Sequence, residues 1–323
     1  MTTAPAPRPL EDLIDGFLAE TYARNPLVGS GLGLVEYDDQ LPDRSEAAWD
    51  RQRADHARWL AAFRAVPDDG LAPDDRADRD LAIAHLTGDA IVADTAPERR
   101  DPDVYGGAGL SAVHSLFLFR PHDATTVAAA CARLRAIPDL LAQGRANLDA
   151  DHASPLILRR AAQQAAGGVA YCQSGVSAQV DDPVLAARLL EAGSDAATAY
   201  QEWGDHLTRL ADRASGDWAL GEERYSRLLR EREGLSYGAD GLHQRGIAAY
   251  AEMLGPGVEG ATNLLLPPAV TIEAIAGGLF ELCLTYALLG RIARLPELLP
   301  RATYFALAPF VGSEQAWELA TTK

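Results

Sequence analysis

One late segment of the chain, residues 271–278, carries a single side chain suited to acid–base chemistry. It reads Thr-Ile-Glu-Ala-Ile-Ala-Gly-Gly, and its ionisable residue is Glu273. A zinc site usually needs two histidines about one helical turn apart with a glutamate beside them. Ile272 and Gly278 offer no ligand atoms in their side chains. Glu273 is therefore either a lone general base or an ordinary, partly exposed helix residue.

A second group of candidate site residues begins in the apolar segment Leu110–Phe119. Because a buried histidine needs a hydrogen-bond partner, we expect His114 either in the core with a partner or in a pocket with a catalytic role. Arg120 follows, and it would hold a carboxylate or phosphate of a ligand or form an internal ion pair. Tyr225 and Tyr286 are the other expected substrate-binding residues, although aromatic residues at helical spacing are more often part of a core.

Two further patterns are compatible with a bound metal. Asp74-Asp-Arg-Ala-Asp78 could bind Mg²⁺ for a diphosphate substrate, but it is also typical of a solvated helix start, and no second motif of a terpene cyclase accompanies it. His85 and Asp89 stand four residues apart, which alone is weak evidence for a metal. No phosphate-binding loop occurs. We therefore predict no metal and no cofactor.

The composition limits the classes of partner. The 323 residues include 29 Lys and Arg against 46 Asp and Glu, a formal net charge of −17. Such a surface repels nucleic acids and anionic lipids, and no uncharged apolar run reaches the length of a membrane span. Cys131, Cys172 and Cys283 lie in apolar contexts, which predicts buried thiols in a reducing compartment. The first residues lack the apolar stretch of a signal peptide, so we predict a cytoplasmic protein.

Helical periodicity dominates the chain and predicts an all-α fold, a large multi-helix bundle. We expect a disordered terminus at 1–9, a helical domain at 10–254 and apolar helices at 255–323. These last helices, after a Gly/Pro-rich link, either pack on the same core or form the face of a homodimer. The predicted helices are Leu10–Ala23, one capped by Ser45 and running to Val66, Asp74 or Asp75 to Val92, Gly107–Phe119, Asp123–Asn147 with a kink or break at Pro138, Ile157–Val176, Val184–Ala211, Glu222–Arg232, Gly241–Leu254, Ile272–Leu295 and Pro300–Thr321.

An ordered set of short signatures carries a resemblance to a known family. The set is Asn25-Pro26, Tyr37-Asp-Asp-Gln-Leu-Pro-Asp43, Asp101-Pro-Asp-Val-Tyr105, Ala132-Arg-Leu-Arg-Ala-Ile-Pro-Asp-Leu-Leu141, Gln143-Gly-Arg-Ala-Asn-Leu148 and the segment from Gly221 to Gly234. It resembles the bacterial domain-of-unknown-function family numbered eight-eight-five, whose members look like all-helical, zincin-like zinc peptidases. The resemblance covers about residues 10–254.

The chain departs from the metal motifs that this resemblance implies. Family members carry His-Glu-x-x-Pro-Gly-His and then a Glu-Gly-Trp-Ala-x-Tyr-x-Glu helix. Aligned with the first motif, Glu273 takes the place of its glutamate, and Ile272 and Gly278 take those of its histidines. In Gly312–Leu319, Glu314 and Trp317 look like remnants of the second motif. The resemblance thus implies a peptidase-like scaffold without its zinc ligands.

We expect a metal-independent protein on this scaffold that binds and converts a small-molecule or peptide-like substrate. The expected step is non-hydrolytic, a cyclisation, elimination or isomerisation, in specialised metabolism. Glu273 and His114 are the predicted catalytic residues, and Arg120, Tyr225 and Tyr286 the predicted substrate-binding residues. Two alternatives stay open: a non-catalytic binding or partner subunit, and a zinc-dependent peptidase with unrecognised ligands.

Overall fold

The computed structural model describes residues 9–259, 267–288 and 292–321. Throughout these ranges the regular secondary structure is helical and no strand occurs, which confirms the predicted all-α fold. The contacts divide the chain into two compact units, Met1–Leu235 and Ser236–Lys323. This division falls between Leu235 and Ser236, earlier than the predicted boundary at 254, and the shared core of the two parts stays a prediction. The expected disorder of 1–9 falls almost wholly on residues outside the described ranges.

The helices of the first unit form most of the described structure. They are α1 Pro9–Arg24, α2 Pro26–Gly31, α3 Glu46–Arg64, α4 Pro73–Ala93, α5 Pro97–Arg100, α6 Gly106–Phe119, α7 Ala124–Asn147, α8 Pro155–Ala170, α9 Pro183–Ala211 and α10 Glu222–Arg227. Two π-helical turns extend α8 and α10, at Tyr171–Gly175 and Leu228–Arg232. The second unit contains α11 Ala239–Glu259, α12 Pro268–Leu288, α13 Leu299–Val311 and α14 Ser313–Thr321.

Local capping explains where several helices begin. The Ser45 hydroxyl accepts a hydrogen bond from the Ala48 amide at 3.3 Å, as predicted for the start of α3. Asp123 caps α7 and Asp182 caps α9 in the same way, each through a carboxylate oxygen on two backbone amides. Proline occupies the first turn of α4, where its missing amide proton costs nothing.

The predicted helix boundaries differ from the observed ones at a few places. Pro138 lies inside α7, which continues from Ala124 to Asn147 as one helix and is not divided. The predicted helix from Pro300 to Thr321 is two helices, because Gly312 adopts a φ of 85° between α13 and α14. A positive φ is favourable for glycine and ends a helix. Of the apolar helix predicted to reach Leu295, α12 is described as far as Leu288, and residues 292–295 belong to the 3-10 helix Ile292–Leu298.

The main core of the first unit lies between α6, α7, α8 and α9. Its largest fully buried side chains include Trp203 and Tyr200 of α9, with Leu134, Ile137 and Leu141 of α7. The ring of Tyr200 lies so close to Gly168 that a Cβ there would stand 2.8 Å from ring atoms. The glycine therefore permits α8 and α9 to approach closely.

A smaller apolar cluster joins α1, α3 and α4. It contains Leu10, Trp59, Phe63 and Leu86, and the ring of Phe17 contacts those of Trp59 and Phe63 edge-on. Cys131 and Cys172 are buried free thiols, as predicted. Within the described residues, no helix is both long and apolar enough to cross a bilayer.

Candidate functional site

The two predicted site residues of the second unit lie on α12. Glu273 is exposed and Tyr286 is partly buried. The side chain of Ile272 is outside the described set, so the comparison of this segment with a metal motif stays a sequence-based interpretation. None of the contacts that the structure describes places Glu273 in a pocket. Its catalytic role stays a prediction.

His114 is exposed on α6, which corrects the expectation of a buried histidine. The helix turns this side chain away from the core, where Val113 and Leu116 are buried instead. The imidazole ring meets the ring of Tyr171 edge-on, with 6.2 Å between centroids. His114 therefore needs no buried hydrogen-bond partner.

Arg120 forms an internal ion pair with Asp38. Its Nε and Nη2 donate to the two carboxylate oxygens at 2.8 and 2.9 Å, and Nη2 also donates to the Ser30 carbonyl at 2.8 Å. Burial acts to raise the pKa of Asp38, but the hydrogen bonds from Arg120 and Ser30 outweigh it and hold that pKa below its usual value. Arg120 thus links α2 to the end of α6. It forms the internal ion pair that was expected as the alternative to ligand binding.

The predicted site residues do not form one site within the first unit. Tyr225 is 41% exposed on α10, His114 lies within α6, and Arg120 follows the last residue of that helix. None of these three lines any of the three cavities described next. Sequence reasoning therefore identified ionisable and aromatic residues without identifying which side chains meet.

Three cavities lie in the first unit, with volumes of about 430, 250 and 470 Å³. The largest is mainly apolar, with Trp203 and Tyr200 in its wall. The cavity of about 430 Å³ has five charged side chains in its lining. We call it the Glu98 cavity, and its polar lining residues are Glu46, Glu98, Arg99, Asn147, Asp149 and Arg213.

A short helix presents Glu98 to this cavity. The residue before α5, Ala96, has a φ of 50°, an unfavourable left-handed conformation for a residue with a Cβ. The hydroxyl of Tyr105 donates to the Glu98 carbonyl at 2.9 Å, and the Asp149 amide donates to the Arg99 carbonyl at 3.0 Å. These bonds to distant parts of the chain hold the four-residue helix in place.

The carboxylate of Glu98 is buried and only half satisfied. The side chain belongs to a residue that is 5% exposed, and its Oε1 accepts a hydrogen bond from Arg53 at 2.8 Å. Its Oε2 is buried and has no hydrogen-bond partner. An unpartnered buried carboxylate oxygen costs free energy, so Glu98 is a candidate functional residue.

A polar network holds the backbone of Glu98. The Nδ2 of Asn147 donates to the Arg44 carbonyl at 2.8 Å and to the Tyr105 hydroxyl at 3.0 Å. Burial lowers the pKa of Arg44 and raises that of Tyr105. Because Tyr105 in turn bonds the Glu98 carbonyl, the network links the ends of α5 and α7. Hydrogen bonds of this kind fix the position of the backbone that carries a side chain.

The Glu98 cavity suits a small polar ligand. Its volume falls within the range of about 300–1,000 Å³ typical of ligand pockets, and a carboxylate there can accept a proton or bind a cation. Among the described residues, no three His, Cys, Asp or Glu side chains lie in an arrangement that could hold a metal ion. The expectation of a metal-free protein itself stays a prediction.

Sequence reasoning missed Glu98 altogether. It stands in Ala-Pro-Glu-Arg-Arg, where charged residues flank it and no apolar pattern surrounds it. The proline that starts a helix was a readable signal for α5. The burial of Glu98 could not be predicted from the sequence, because Arg53, Tyr105 and Asp149 approach it from other elements.

These features define an all-helical protein with an acidic polar cavity in its first unit. The chain belongs to the family described as bacterial protein of unknown function, DUF885, which it matches over residues 26–256. This confirms the resemblance read from the short signatures.

One solved structure shows the same fold. It is a protein from Shewanella oneidensis described as a candidate lipoprotein of unknown function, with a TM-score of 0.63 and 18% identity. The match covers 83% of this chain and 52% of that one, so the chain spans about half the length of that structure. No curated protein sequence matches the chain.

Proposed function

We propose that the protein binds a small-molecule or peptide-like substrate in the Glu98 cavity and converts it by a non-hydrolytic proton-transfer step without a metal. The observation that carries this proposal is Glu98, a residue that is 5% exposed and lines a cavity, with one carboxylate oxygen held by Arg53 and the other without a hydrogen-bond partner. A polar group that burial leaves unsatisfied is common at functional sites.

The proposed step uses Glu98 as the base. The carboxylate takes a proton from a substrate atom next to an electron-withdrawing group and returns it at another atom, so the product is an isomer of the substrate. If a leaving group departs after proton removal, the same base performs an elimination. Both steps need a fixed carboxylate within hydrogen-bond reach of the substrate, which the bonds from Arg53 and Tyr105 provide.

The metal-independent part of the proposal is supported by the sequence around Glu273. Ile272 and Gly278 stand where the resembled motif has its histidines. Glu273 remains the alternative base, in the second unit. The cyclisation and specialised-metabolism parts of the original expectation have no further support in the structure and stay predictions.

Untargeted mass spectrometry of a bacterial metabolite extract incubated with the purified protein tests this proposal. An isomerisation changes the retention time of a compound at constant mass, an elimination lowers its mass, and a hydrolysis adds one water. We expect consumption of at least one metabolite without added water. Glu98→Gln should slow this conversion by about 100-fold or more, because general base catalysis contributes about 10²–10⁴-fold.

Two matched variants separate the alternatives. Glu191→Gln changes an exposed glutamate on α9 and should leave the conversion intact, whereas Glu273→Gln tests the rival base directly. A conversion that adds water and stops when a chelator is present would show a metal-dependent hydrolase instead. No conversion of any metabolite would favour the non-catalytic binding subunit.

A further inference from the structure

The largest of the three cavities, about 470 Å³, lies apart from the Glu98 cavity and shares no lining residue with it. We call it the Trp203 cavity. Residues of α6, α8 and α9 form most of its wall, which is mainly apolar. Gly167 of α8 is part of this wall, and a Cβ at that position would meet nothing within 4 Å. The cavity therefore has open space on its α8 side, and its volume is within the range of about 300–1,000 Å³ typical of ligand pockets.

The ionisable groups of the Trp203 cavity are already engaged. Within the described lining, Asp103 is the one acidic side chain and no basic side chain occurs. The carboxylate of Asp103 accepts a hydrogen bond from the guanidinium of Arg160. The hydroxyl of Tyr200 donates to the Gly106 carbonyl at 2.8 Å, and burial raises the pKa of this tyrosine. A charged ligand would therefore find no free counter-ion in this lining, whereas a neutral ligand would leave the existing ion pair intact.

One polar group in the wall of the Trp203 cavity lacks a partner. Trp203 is 1% exposed, and its indole Nε1 donates no hydrogen bond to any described residue. Nε1 of Trp49 is also without a partner but is fully enclosed, whereas Nε1 of Trp203 keeps accessible surface. This atom lies beside Gly106 of the lining, where a Cβ would stand 2.7 Å from it. Because a buried indole N–H usually has an acceptor, an acceptor atom of a bound molecule would complete the site.

We propose that the Trp203 cavity binds a small neutral molecule with a mainly apolar body and one hydrogen-bond acceptor, such as an aryl ketone. The acceptor takes the hydrogen bond from Nε1 of Trp203. The apolar body packs against Leu110, Ala161 and Ala165 of the wall, and its removal from water favours binding. The inference goes beyond the proposed function, because it concerns a second binding site that does not include Glu98.

Saturation-transfer NMR with the purified protein and a series of aryl alkyl ketones of graded chain length tests this inference. Each ketone is compared with an alkylbenzene of matched size, which lacks the acceptor, and with a carboxylate of matched size, which is charged. We expect at least one ketone to bind, about two- to tenfold more tightly than its hydrocarbon, because one net hydrogen bond contributes that much. The carboxylates should bind more weakly than the ketones, because the lining offers no free counter-ion.

A substitution that fills the cavity locates the bound probe. Gly167→Leu extends a side chain into the open space of the Trp203 cavity, so it should abolish detectable binding of both the ketone and the hydrocarbon. Gly31→Leu is the matched control. A Cβ at Gly31, the last residue of α2, also meets nothing within 4 Å, and this residue is not part of the cavity lining. The control should leave binding unchanged.

Trp203→Phe tests the hydrogen bond itself. It removes Nε1 and keeps an aromatic ring, so the ketone should lose its advantage while the hydrocarbon still binds. If this core variant does not fold, the ketone–hydrocarbon comparison in the unaltered protein and the Gly167→Leu result decide together. The inference is overturned if no ketone binds, if ketones and their hydrocarbons bind equally, or if Gly167→Leu leaves binding unchanged. Tighter binding of the carboxylates would show an anion site instead.

Discussion

Glu98 and Glu273 carry the same side chain but have different surroundings. Glu98 is nearly buried, accepts a hydrogen bond from Arg53 and lines a cavity. Glu273 is exposed on α12. Buried charges interact more strongly with their neighbours than exposed ones, because the local dielectric constant is lower. At the scale of single residues, the candidate base is therefore defined by its surroundings rather than by its type.

Glycine positions in α8 give a stability prediction at the same scale. We expect Gly168→Ala to lower the free energy of unfolding by about 1–3 kcal/mol, the usual cost of overpacking a core. The new Cβ would lie 2.8 Å from ring atoms of Tyr200, which is itself 1% exposed and cannot move aside freely. Urea denaturation followed by circular dichroism measures this change.

The neighbouring glycine is the matched control for this substitution. A Cβ at Gly167 would meet nothing within 4 Å. Because alanine is a better helix former than glycine, Gly167→Ala should be neutral or raise stability by up to about 1 kcal/mol. Equal destabilisation by both substitutions would contradict the close packing of α8 on α9.

At the scale of elements, a polar cluster connects α1, α3 and α4. Arg24 of α1 donates from Nη2 to the Nε2 of His56 at 3.2 Å, which assigns His56 a neutral ring with Nε2 as acceptor. Asp89 of α4 lies 3.8 Å from His56 and 3.5 Å from His85, so the predicted proximity of His85 and Asp89 is confirmed. Their metal role stays a sequence-based hypothesis.

This cluster predicts a pH-dependent stability. Burial lowers the pKa of His56, and the positive charge of Arg24 lowers it further. A histidine whose pKa is lower in the folded state than in the unfolded state binds a proton more readily when the chain is unfolded. Protonation therefore favours unfolding, and the protein has its full stability only above the unfolded-state pKa of about 6.5. We expect the free energy of unfolding to fall as the pH drops from about 6.5 toward the lower folded-state value of His56.

Denaturation at a series of pH values measures this dependence. His56→Gln should flatten the slope in that range, since glutamine does not titrate. The groups that face His56 are Arg24, Asp55, His85 and Asp89. His114→Gln, which removes an exposed histidine of α6, is the control. An unchanged slope in His56→Gln would rule out His56 as its source.

At the scale of the whole molecule, the first unit contains the two apolar clusters and the three cavities described above. We therefore expect a chain ending at Leu235 to fold alone, with a helical circular dichroism spectrum and cooperative thermal unfolding. It should also keep the Glu98 cavity, whose residues all precede that end.

A shorter chain provides the comparison for this truncation. Ending at Ala211 removes α10 and the turn Leu228–Arg232, whose Arg232 side chain packs on Gly88 of α4. This chain should unfold at a lower temperature than the one ending at Leu235. If the longer fragment lacks cooperative unfolding, the first unit depends on the rest of the chain.

Several predictions about the whole molecule depend on the sequence alone. The net charge of −17 disfavours nucleic acid and anionic membranes as partners. The cytoplasmic location and a homodimer through the apolar C-terminal helices likewise stay predictions.

Burial of Cys172 raises the pKa of its thiol to about 12, so this cysteine is held in its unreactive, protonated form.

The sequence by itself determined the all-α class, most helix positions, the family and the buried thiols Cys131 and Cys172. These properties depend on helical periodicity, caps such as Ser45 and short ordered signatures, which are local in the chain. Gly312 shows the limit, because glycine is compatible with a helix and only the backbone conformation revealed the break.

The tertiary structure alone decided which ionisable groups meet. Glu98 is functional in our proposal because Arg53, 45 residues away, holds one of its oxygens and Tyr105 holds its backbone. Arg120 is committed to Asp38, 82 residues away, and His114 is turned outward. Burial and pairing depend on contacts between distant residues, and a helical pattern specifies a face without specifying what packs against it.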